Sequence, residues 1–330
     1  MDKKDSTIFD DLATSNVSTE ELQKSAGELL DNVTKVVLGK EDVARLCLIA
    51  LLAGEHVLLE DVPGVGKTLM GKALSSSVDG SFSRIQFTPD LLPSDIIGSS
   101  IFNSQTSSFV FNEGPIFNNF VLADEINRAP PRTQSALLEA MSESQVSVDG
   151  ATHPLSQPFM VIATQNPFEF EGTYVLPESQ LDRFLIRISM GYPDRAYEEA
   201  IFKSHRTGEP VDQLKPVCNW QRVLEMQGAV RAVTVEDSIS KYMLDIVEQT
   251  RTSPELSVGI STRGALAWYR AIQSAAFVDG RSFVIPDDAK NMAISVLGHR
   301  VQMRGGIQGG QRDDVEAIIR DITNSISLPT

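Results

Sequence analysis

The fold is decided by residues 56–70, which read HVLLEDVPGVGKTLM. An apolar run of strand length at 56–59 leads into a turn rich in glycine and proline, and a helical pattern starts at Gly66-Lys67-Thr68. A strand, a glycine-rich turn and a helix in this order form the context that a phosphate-binding loop requires. The stretch therefore predicts an α/β domain that binds a nucleotide, the alternative being a purely structural turn.

Each position of this loop has a chemical task. Glycines at 64 and 66 let backbone N–H groups turn toward phosphate oxygens, and the helix N-terminus adds positive partial charge. Lys67 reaches the β- and γ-phosphates, and Thr68 supplies a hydroxyl ligand for Mg²⁺. The residues expected to bind ATP here are Val62, Pro63, Gly64, Val65, Gly66, Lys67, Thr68 and Leu69.

One position departs from the usual spacing of the loop. The pattern GxxxxGK[ST] begins with a glycine, and this chain has Asp61 in that place. Aspartate tolerates left-handed backbone better than most residues, so the turn can still form. The sequence leaves open whether a carboxylate so close to a polyphosphate weakens ATP binding.

Further apolar runs of strand length follow at 83–87, 120–123 and 159–164, with helix-like segments between them. Strands that alternate with helices predict a parallel sheet covered by helices on both faces. Two β-hairpins are predicted in addition, one from the short pieces near 97–102 and 108–111. The other is formed by 145–148 and 153–155 around Asp149-Gly150, a dipeptide suited to a tight hairpin turn.

The strand signals end near Pro193, and only helical patterns follow it. We therefore predict a mobile lead-in over 1–18, a nucleotide-binding core over 19–193 and a small all-helical lid domain over 194–330. Two helices, from about 19 and from 41 to 53, are expected before the first strand.

The composition is that of a folded protein, with 330 residues, 42% apolar and 22% charged. A net charge of −15 disfavours nucleic acid and anionic lipid as partners. No apolar run reaches the ~18 residues that a membrane span needs, and the first residues do not resemble a signal peptide. We expect a cytoplasmic protein without membrane insertion.

Two acids end the strand at 120–123, and an amide follows the strand at 159–164. Asp124 is expected to hold Mg²⁺ and Glu125 to polarise the attacking water. Asn166 lies where an amide can orient that water against the γ-phosphate. The alternatives are solvated acids at a strand end and an asparagine that only forms a turn before Pro167.

Four longer segments together resemble the MoxR branch of the AAA+ ATPases. They are TPDLLPSD at 88–95, DEINRA at 124–129, ATQNP at 163–167 and LDRF at 181–184, and the resemblance covers nearly all of 20–325. It implies an ATP-dependent, chaperone-like remodelling machine that forms a ring, commonly a hexamer. It also implies a von Willebrand factor A domain protein as partner and leaves the client protein unnamed.

The same resemblance implies roles for residues outside the loop. Arg183 is expected to be the arginine finger that enters a neighbour's site, with Arg128, Arg187 or a simple Arg183–Asp182 salt bridge as alternatives. Arg263 matches the sensor-2 position, where the alternative is a solvated side chain. Val37 and Leu38 are expected near the adenine. A magnesium-chelatase-like subunit and a non-hydrolysing nucleotide switch are the alternative functions.

Overall fold

The computed structural model of the protein describes residues 17–61, 64–166, 172–204, 206, 208–305 and 312–329. Residues 1–16 of the predicted lead-in, together with Val62 and Pro63 of the phosphate loop, lie outside the described residues. Two helices, α1 (Thr19–Thr34) and α2 (Glu41–Ala53), come first. Ser18 caps α1 by accepting a hydrogen bond from the Glu21 N–H over 3.2 Å, as expected for a serine before a helical pattern.

A parallel sheet and its helices follow, with two hairpins between the strands. The elements in chain order are β1 (Val57–Glu60), α3 (Lys67–Ser77), β2 (Phe82–Gln86), α4 (Pro93–Ile97), β3 (Gly98–Asn103), β4 (Ser108–Glu113), β5 (Phe120–Asp124), α5 (Pro131–Glu143), β6 (Gln145–Val148), β7 (Ala151–Pro154), β8 (Met160–Gln165), α6 (Glu178–Leu181) and β9 (Ile186–Ile188).

The main sheet has five strands in the order β2-β5-β8-β1-β9, and all its pairings are parallel. The predicted strands thus occur in the predicted class of fold, and β9 is an additional strand that the sequence pattern did not indicate. Its three residues are too few to give a periodic signal. It lies at the edge of the sheet beside β1.

Both faces of the sheet are covered, because successive residues of the inner strands enter two different apolar clusters. Leu58 packs in one cluster with Leu137 and Leu138 of α5. Leu59 packs in the other cluster with the residues of α1, α2 and α3. This alternation is the reason that β1, β5 and β8 are buried along nearly all of their length. Because the three strands are parallel, their carboxyl ends lie at a single edge.

The hairpins β3–β4 and β6–β7 are antiparallel, as predicted, and they contact each other. Phe111 of β4 stacks on His153 of β7 with ring centroids 3.9 Å apart. Phe102 and Phe109 form an edge-to-face pair at 5.4 Å, and both are exposed. Only Phe111 is therefore packed between the two hairpins, and the other two phenylalanines face solvent.

The remaining elements are mostly helices, in agreement with the predicted helical lid. They are α7 (Arg195–Ser204), α8 (Trp220–Arg231), α9 (Asp237–Thr252), β10 (Leu256–Val258), α10 (Thr262–Val278), α11 (Pro286–Leu297), β11 (Gln302–Met303) and α12 (Arg312–Ser325). The lid is not all-helical as expected, because it also contains the short antiparallel pair β10–β11. None of the described helices is long and apolar enough to cross a bilayer.

The helical lid packs against the first two helices and not only against the sheet. Ser274 of α10 donates a hydrogen bond to the carbonyl oxygen of Ile49 in α2 over 2.7 Å. The apolar residues of α1, α2 and the lid helices belong to one continuous cluster. The lid is therefore joined to the core by buried contacts on the same side of the sheet as α3.

Candidate functional site

The site lies at the carboxyl edge of the sheet, where β1, β5 and β8 end next to one another. The register aligns Glu60 of β1 with Gln165 of β8, so that Asp61 and Asn166 follow from adjacent strand ends. The Asp61 N–H donates to the Gln165 carbonyl oxygen over 3.2 Å, which extends the pairing by one residue. The structure thus brings the predicted loop and the predicted amide together. Asn166 is buried at this edge.

The phosphate loop has the backbone geometry that its glycines predict. Gly64 and Gly66 have φ angles of +88° and +98°, a left-handed region that favours glycine, and α3 starts at the next residue, Lys67. Val65 is buried, and Thr68 and Leu69 are half-buried in the first turn of α3. The loop therefore presents N–H groups and a helix N-terminus to the same space.

Lys67 is buried in the site, and its ammonium group donates to the Asp61 carbonyl oxygen over 2.9 Å. Burial lowers its pKa, while the nearby carboxylates of Asp124, Asp61 and Glu125 oppose that change. These three acids keep a cation next to the loop, where the phosphates of a nucleotide are expected.

The Asp61 side chain contacts the segment that follows β9. Its Oδ2 atom accepts a hydrogen bond from the Gly191 N–H over 2.6 Å and one from the Ser189 hydroxyl over 3.0 Å. The carboxylate group is therefore engaged by the chain itself. Whether this carboxylate also weakens nucleotide binding stays the open question that the sequence raised.

Asp124 at the end of β5 is held by two neighbours that the sequence analysis did not select. Thr164 donates a hydrogen bond from its hydroxyl to Asp124 Oδ1 over 2.6 Å. Arg84 of β2 lies 2.5 Å from Asp124 Oδ2 and is half exposed. The alternation of β2, which places Arg84 and Gln86 on one side of the strand, was the only available signal for the arginine.

Glu125 adopts a left-handed backbone conformation with φ +57°, which is uncommon for a residue with a side chain. Its N–H donates to the Thr164 hydroxyl oxygen over 2.9 Å, so one hydroxyl positions both acids. Its carboxylate accepts a hydrogen bond from Gln86 over 2.8 Å and lies 3.2 Å from Arg128. Backbone strain of this kind clusters at functional sites.

The donors at this edge suit a hard cation of the size of Mg²⁺. Thr68 offers a hydroxyl oxygen and Asp124 a carboxylate oxygen, whereas the described residues contain no group of three histidine, cysteine or acidic residues that could hold a metal ion by themselves. Mg²⁺ typically uses one or two protein oxygens and completes its shell with water and substrate phosphates. The residues present therefore fit Mg²⁺ bound together with a nucleotide.

Arg183 lies apart from these residues in the same chain. Its guanidinium donates to the Leu138 carbonyl oxygen and the Ser142 hydroxyl, both on α5. The simple salt bridge with Asp182 is not the contact found, because the Asp182 carboxylate pairs with Arg300 at 2.7 Å and with Arg263 at 3.7 Å. The two other arginines considered as the arginine finger also form ion pairs within the chain. Arg128 pairs with Glu125, and Arg187 pairs with Glu60.

Arg263 is in the first turn of α10, and its side chain is largely exposed next to Asp182. The buried Arg300 was missed by the sequence analysis, although it makes the more extensive contact between lid and core. It donates to the carbonyl oxygens of Phe184 and Leu185 over 2.7 and 3.1 Å, besides its pair with Asp182. No local pattern marks such a residue, because its partners are far away in the sequence.

The two residues expected near the adenine differ in exposure. Val37 is buried in the apolar cluster of α1 and α2, and Leu38 is half-buried. Gly39 lies against the ring of Tyr197 in α7. Leu38 and Gly39 are therefore the part of this segment that a bound base could contact. Gly39 lies beside α7, the first helix of the lid.

Comparisons with known proteins identify the family of the chain. The family described as ATPase family associated with various cellular activities (AAA) matches residues 56–186, and an AAA lid domain matches residues 248–322. The protein YeaC of Bacillus subtilis is 47% identical over 94% of this chain and 97% of its own length. The chaperone MoxR1 of Mycobacterium tuberculosis is 40% identical over 90% of this chain and 80% of its own length.

A solved structure leads to the same group of proteins. A proposed ATPase from Cytophaga hutchinsonii superimposes with a TM-score of 0.87 and is 37% identical, over 94% of this chain and 97% of its own. Protein MoxR of Methylorubrum extorquens is 28% identical over 90% of this chain and 93% of its own length. The relatives thus cover both the sheet domain and the helical lid.

Proposed function

The chain belongs to the MoxR family of AAA+ ATPases, and from this premise we propose that it hydrolyses ATP with Mg²⁺ to drive chaperone-like remodelling of partner proteins. The observation that supports hydrolysis best is the hydroxyl of Thr164. It holds Asp124 and Glu125 together at the strand edge beside Lys67. A protein that only binds a nucleotide has no need of an acid positioned in this way.

The loop is proposed to hold the triphosphate. Backbone N–H groups of residues 64–68 face the phosphates, and the Lys67 ammonium exchanges the Asp61 carbonyl oxygen for phosphate oxygens. Val62, Pro63 and Leu69 are proposed to bind the nucleotide as well, and Leu38 to contact the base. Mg²⁺, held by Thr68 and Asp124 when it is bound, neutralises phosphate charge and helps to align the reacting groups.

Hydrolysis then requires one water molecule in line with the γ-phosphate. Glu125 accepts a proton from this water, and its carboxylate lies within hydrogen-bond distance of Gln86 at the end of β2. Asn166, buried at the adjacent strand end, orients the same water. Arg263 senses the γ-phosphate from the lid.

A ring, commonly a hexamer in this family, is proposed as the working form. Arg183 then acts on the ATP of the neighbouring subunit, where a guanidinium stabilises charge on the transferred phosphoryl group. It would have to leave its contacts on α5, which are hydrogen bonds to one carbonyl and one hydroxyl oxygen. A von Willebrand factor A domain protein is the proposed partner, and the cytoplasm the proposed location.

The test is a steady-state ATPase assay with purified protein in the presence of Mg²⁺. We expect turnover that is lost in Lys67→Ala. Lys72→Ala is the matched control, because this residue is an exposed lysine on the same helix. Absence of ATPase activity in the wild type, or equal activity in the two variants, would contradict the proposed function.

A further inference from the structure

Six residues lie between β9 and α7, and the first four of them touch the phosphate loop at both of its ends. This connector is residues 189–192, followed by Pro193, Asp194 and helix α7. Asp61, the first residue of the loop, accepts hydrogen bonds from Ser189 and Gly191. Met190 is buried, and its methyl group lies near Gly66, the last glycine of the loop.

The connector is held from its other side by a lysine. The ammonium group of Lys40 donates to the carbonyl oxygens of Met190 and Tyr192, the latter over 2.9 Å. Lys40 follows the segment proposed to contact the base. The Lys40 ammonium thus binds carbonyl oxygens of the connector, and the Asp61 carboxylate binds the N–H group of Gly191. Both are hydrogen bonds strengthened by a charged partner.

A buried carboxylate in this place calls for an explanation. The usual pattern has a glycine here, and burying a charge costs free energy unless hydrogen bonds compensate for it. Asp61 is 8% exposed, and its Oδ2 atom receives two hydrogen bonds, both from the connector. Two hydrogen bonds from the connector therefore help to compensate for the burial of this carboxylate.

The same residue also touches the group that binds phosphate. The Asp61 carbonyl oxygen accepts the hydrogen bond of the Lys67 ammonium, whereas its carboxylate holds Gly191. Phosphate oxygens compete with that carbonyl oxygen for Lys67, so nucleotide binding changes the forces on Asp61. A shift in the position of Asp61 would also move its hydrogen-bond partner, the Gly191 N–H. Gly191 belongs to the segment that leads to α7.

We propose that Asp61 is a positioning residue that, with Lys40, links the nucleotide state of the phosphate loop to the placement of the lid through residues 189–192. This inference rests on the proposed ATPase function. It assigns a task to the residue that departs from the usual loop pattern. It also predicts that restoring glycine at this position harms turnover more than nucleotide affinity.

Hydrogen–deuterium exchange of the full chain tests this proposal, with a non-hydrolysable ATP analogue as the probe. In the wild type, the analogue should change the exchange of a peptide that spans 189–194. In Asp61→Gly this response should disappear while the dissociation constant of the analogue stays within about threefold of the wild type. The turnover number should fall about tenfold, which is the loss expected for one charge-assisted hydrogen bond.

Asp79→Gly is the matched control, because it removes a carboxylate by the same substitution at an exposed position with φ +49°. It should keep both the exchange response and turnover. Lys40→Met removes the hydrogen bonds from Lys40 to the connector and leaves the phosphate loop unchanged. It should also lose the exchange response, and it provides the test if Asp61→Gly does not fold. Asp61→Asn keeps one acceptor oxygen and should give an intermediate response.

The outcomes separate this proposal from the function on which it rests. A wild-type response that persists in Asp61→Gly and in Lys40→Met, with turnover unchanged, overturns the link and leaves the ATPase proposal standing. Tighter binding of the analogue by Asp61→Gly also overturns it, because the carboxylate would then act on the phosphates. Wild-type protein that does not hydrolyse ATP contradicts the proposed function itself.

Discussion

The Thr164 hydroxyl donates a hydrogen bond of 2.6 Å to Asp124 Oδ1. The same oxygen accepts the N–H of the next residue, Glu125, over 2.9 Å, and the side chain is completely buried. Two acids with different proposed tasks therefore share a hydrogen bond to one hydroxyl. β8, which Asn166 follows, thus also contacts both acids at the end of β5 through Thr164.

Replacing Thr164 with valine should lower ATP turnover about tenfold or more. Valine has nearly the same shape, so the loss would come from the missing hydroxyl, which removes one hydrogen bond from Asp124 and leaves the Glu125 N–H without this acceptor. Thr164→Ser keeps the hydroxyl and should retain most of the activity. Steady-state turnover of the two variants decides this, and equal activity of valine and serine variants would refute the role of the hydroxyl.

Arg84 should compete with Mg²⁺ for Asp124, because it lies 2.5 Å from Oδ2 of that carboxylate. The variant Arg84→Gln removes the charge, so half-maximal ATPase activity should need less Mg²⁺ than in the wild type. The measurement is a Mg²⁺ titration at constant ATP. Arg45→Gln, which removes a surface arginine paired with Asp279, is the control. A higher Mg²⁺ requirement for Arg84→Gln would show that the arginine assists the site instead.

Thermal stability should fall when the pH drops below about 6.5, because two buried histidines resist protonation. Burial lowers the pKa of His56 and, with help from Arg300 and Arg187, lowers the pKa of His299 further below the ordinary 6.5. The unfolded chain then binds more protons than the folded one, which costs up to about 1.4 kcal/mol per pH unit for each histidine.

Melting temperatures measured between pH 8 and pH 5 test this prediction. The curve should be flat above the ordinary histidine pKa and should decline below it. His56→Gln keeps a donor for the Met141 carbonyl and an acceptor for the Val161 N–H, which are the two hydrogen bonds described for the imidazole. This variant should show a smaller decline, and an unchanged decline would mean that His56 does not contribute to it.

Mixing two inactive variants should test whether Arg183 acts on a neighbouring subunit. Arg183→Ala keeps its own loop intact, and Lys67→Ala keeps its arginine. If the site is shared, a mixed assembly contains interfaces with an intact loop on one side and an intact arginine on the other, and activity returns. Activity that stays at the level of the separate variants after subunit exchange would contradict action in trans.

The sequence predicted the fold well because its signals are local. The strands that end in Glu60, Asp124 and Gln165 are apolar runs, and turns or helix caps bound them. The strand Ile186–Ile188 was missed because three residues give no period, and the pair β10–β11 was missed for the same reason. The AAA+ class with a helical lid is confirmed by the matching families and by the solved relative.

The site was predictable only where it depends on motifs. Lys67, Thr68, Asp124 and Glu125 follow from strand and loop patterns, whereas Thr164 is recognised only once β8 is placed beside β5. Arg300 meets Asp182 across 118 positions of sequence, and no spacing rule reaches that far. The direction of the Asp61 carboxylate also depends on a distant segment, so the sequence alone could not decide whether it faces phosphate.

Glu125 is proposed to activate water for hydrolysis in a site that binds ATP without it. The most direct measurement is therefore turnover and ATP affinity of Glu125→Gln side by side, with Glu139→Gln, an exposed glutamate on α5, as the control. We predict unchanged ATP affinity and turnover lowered about a hundredfold or more, as expected when a general base is removed. Turnover close to the wild type in Glu125→Gln would contradict the account.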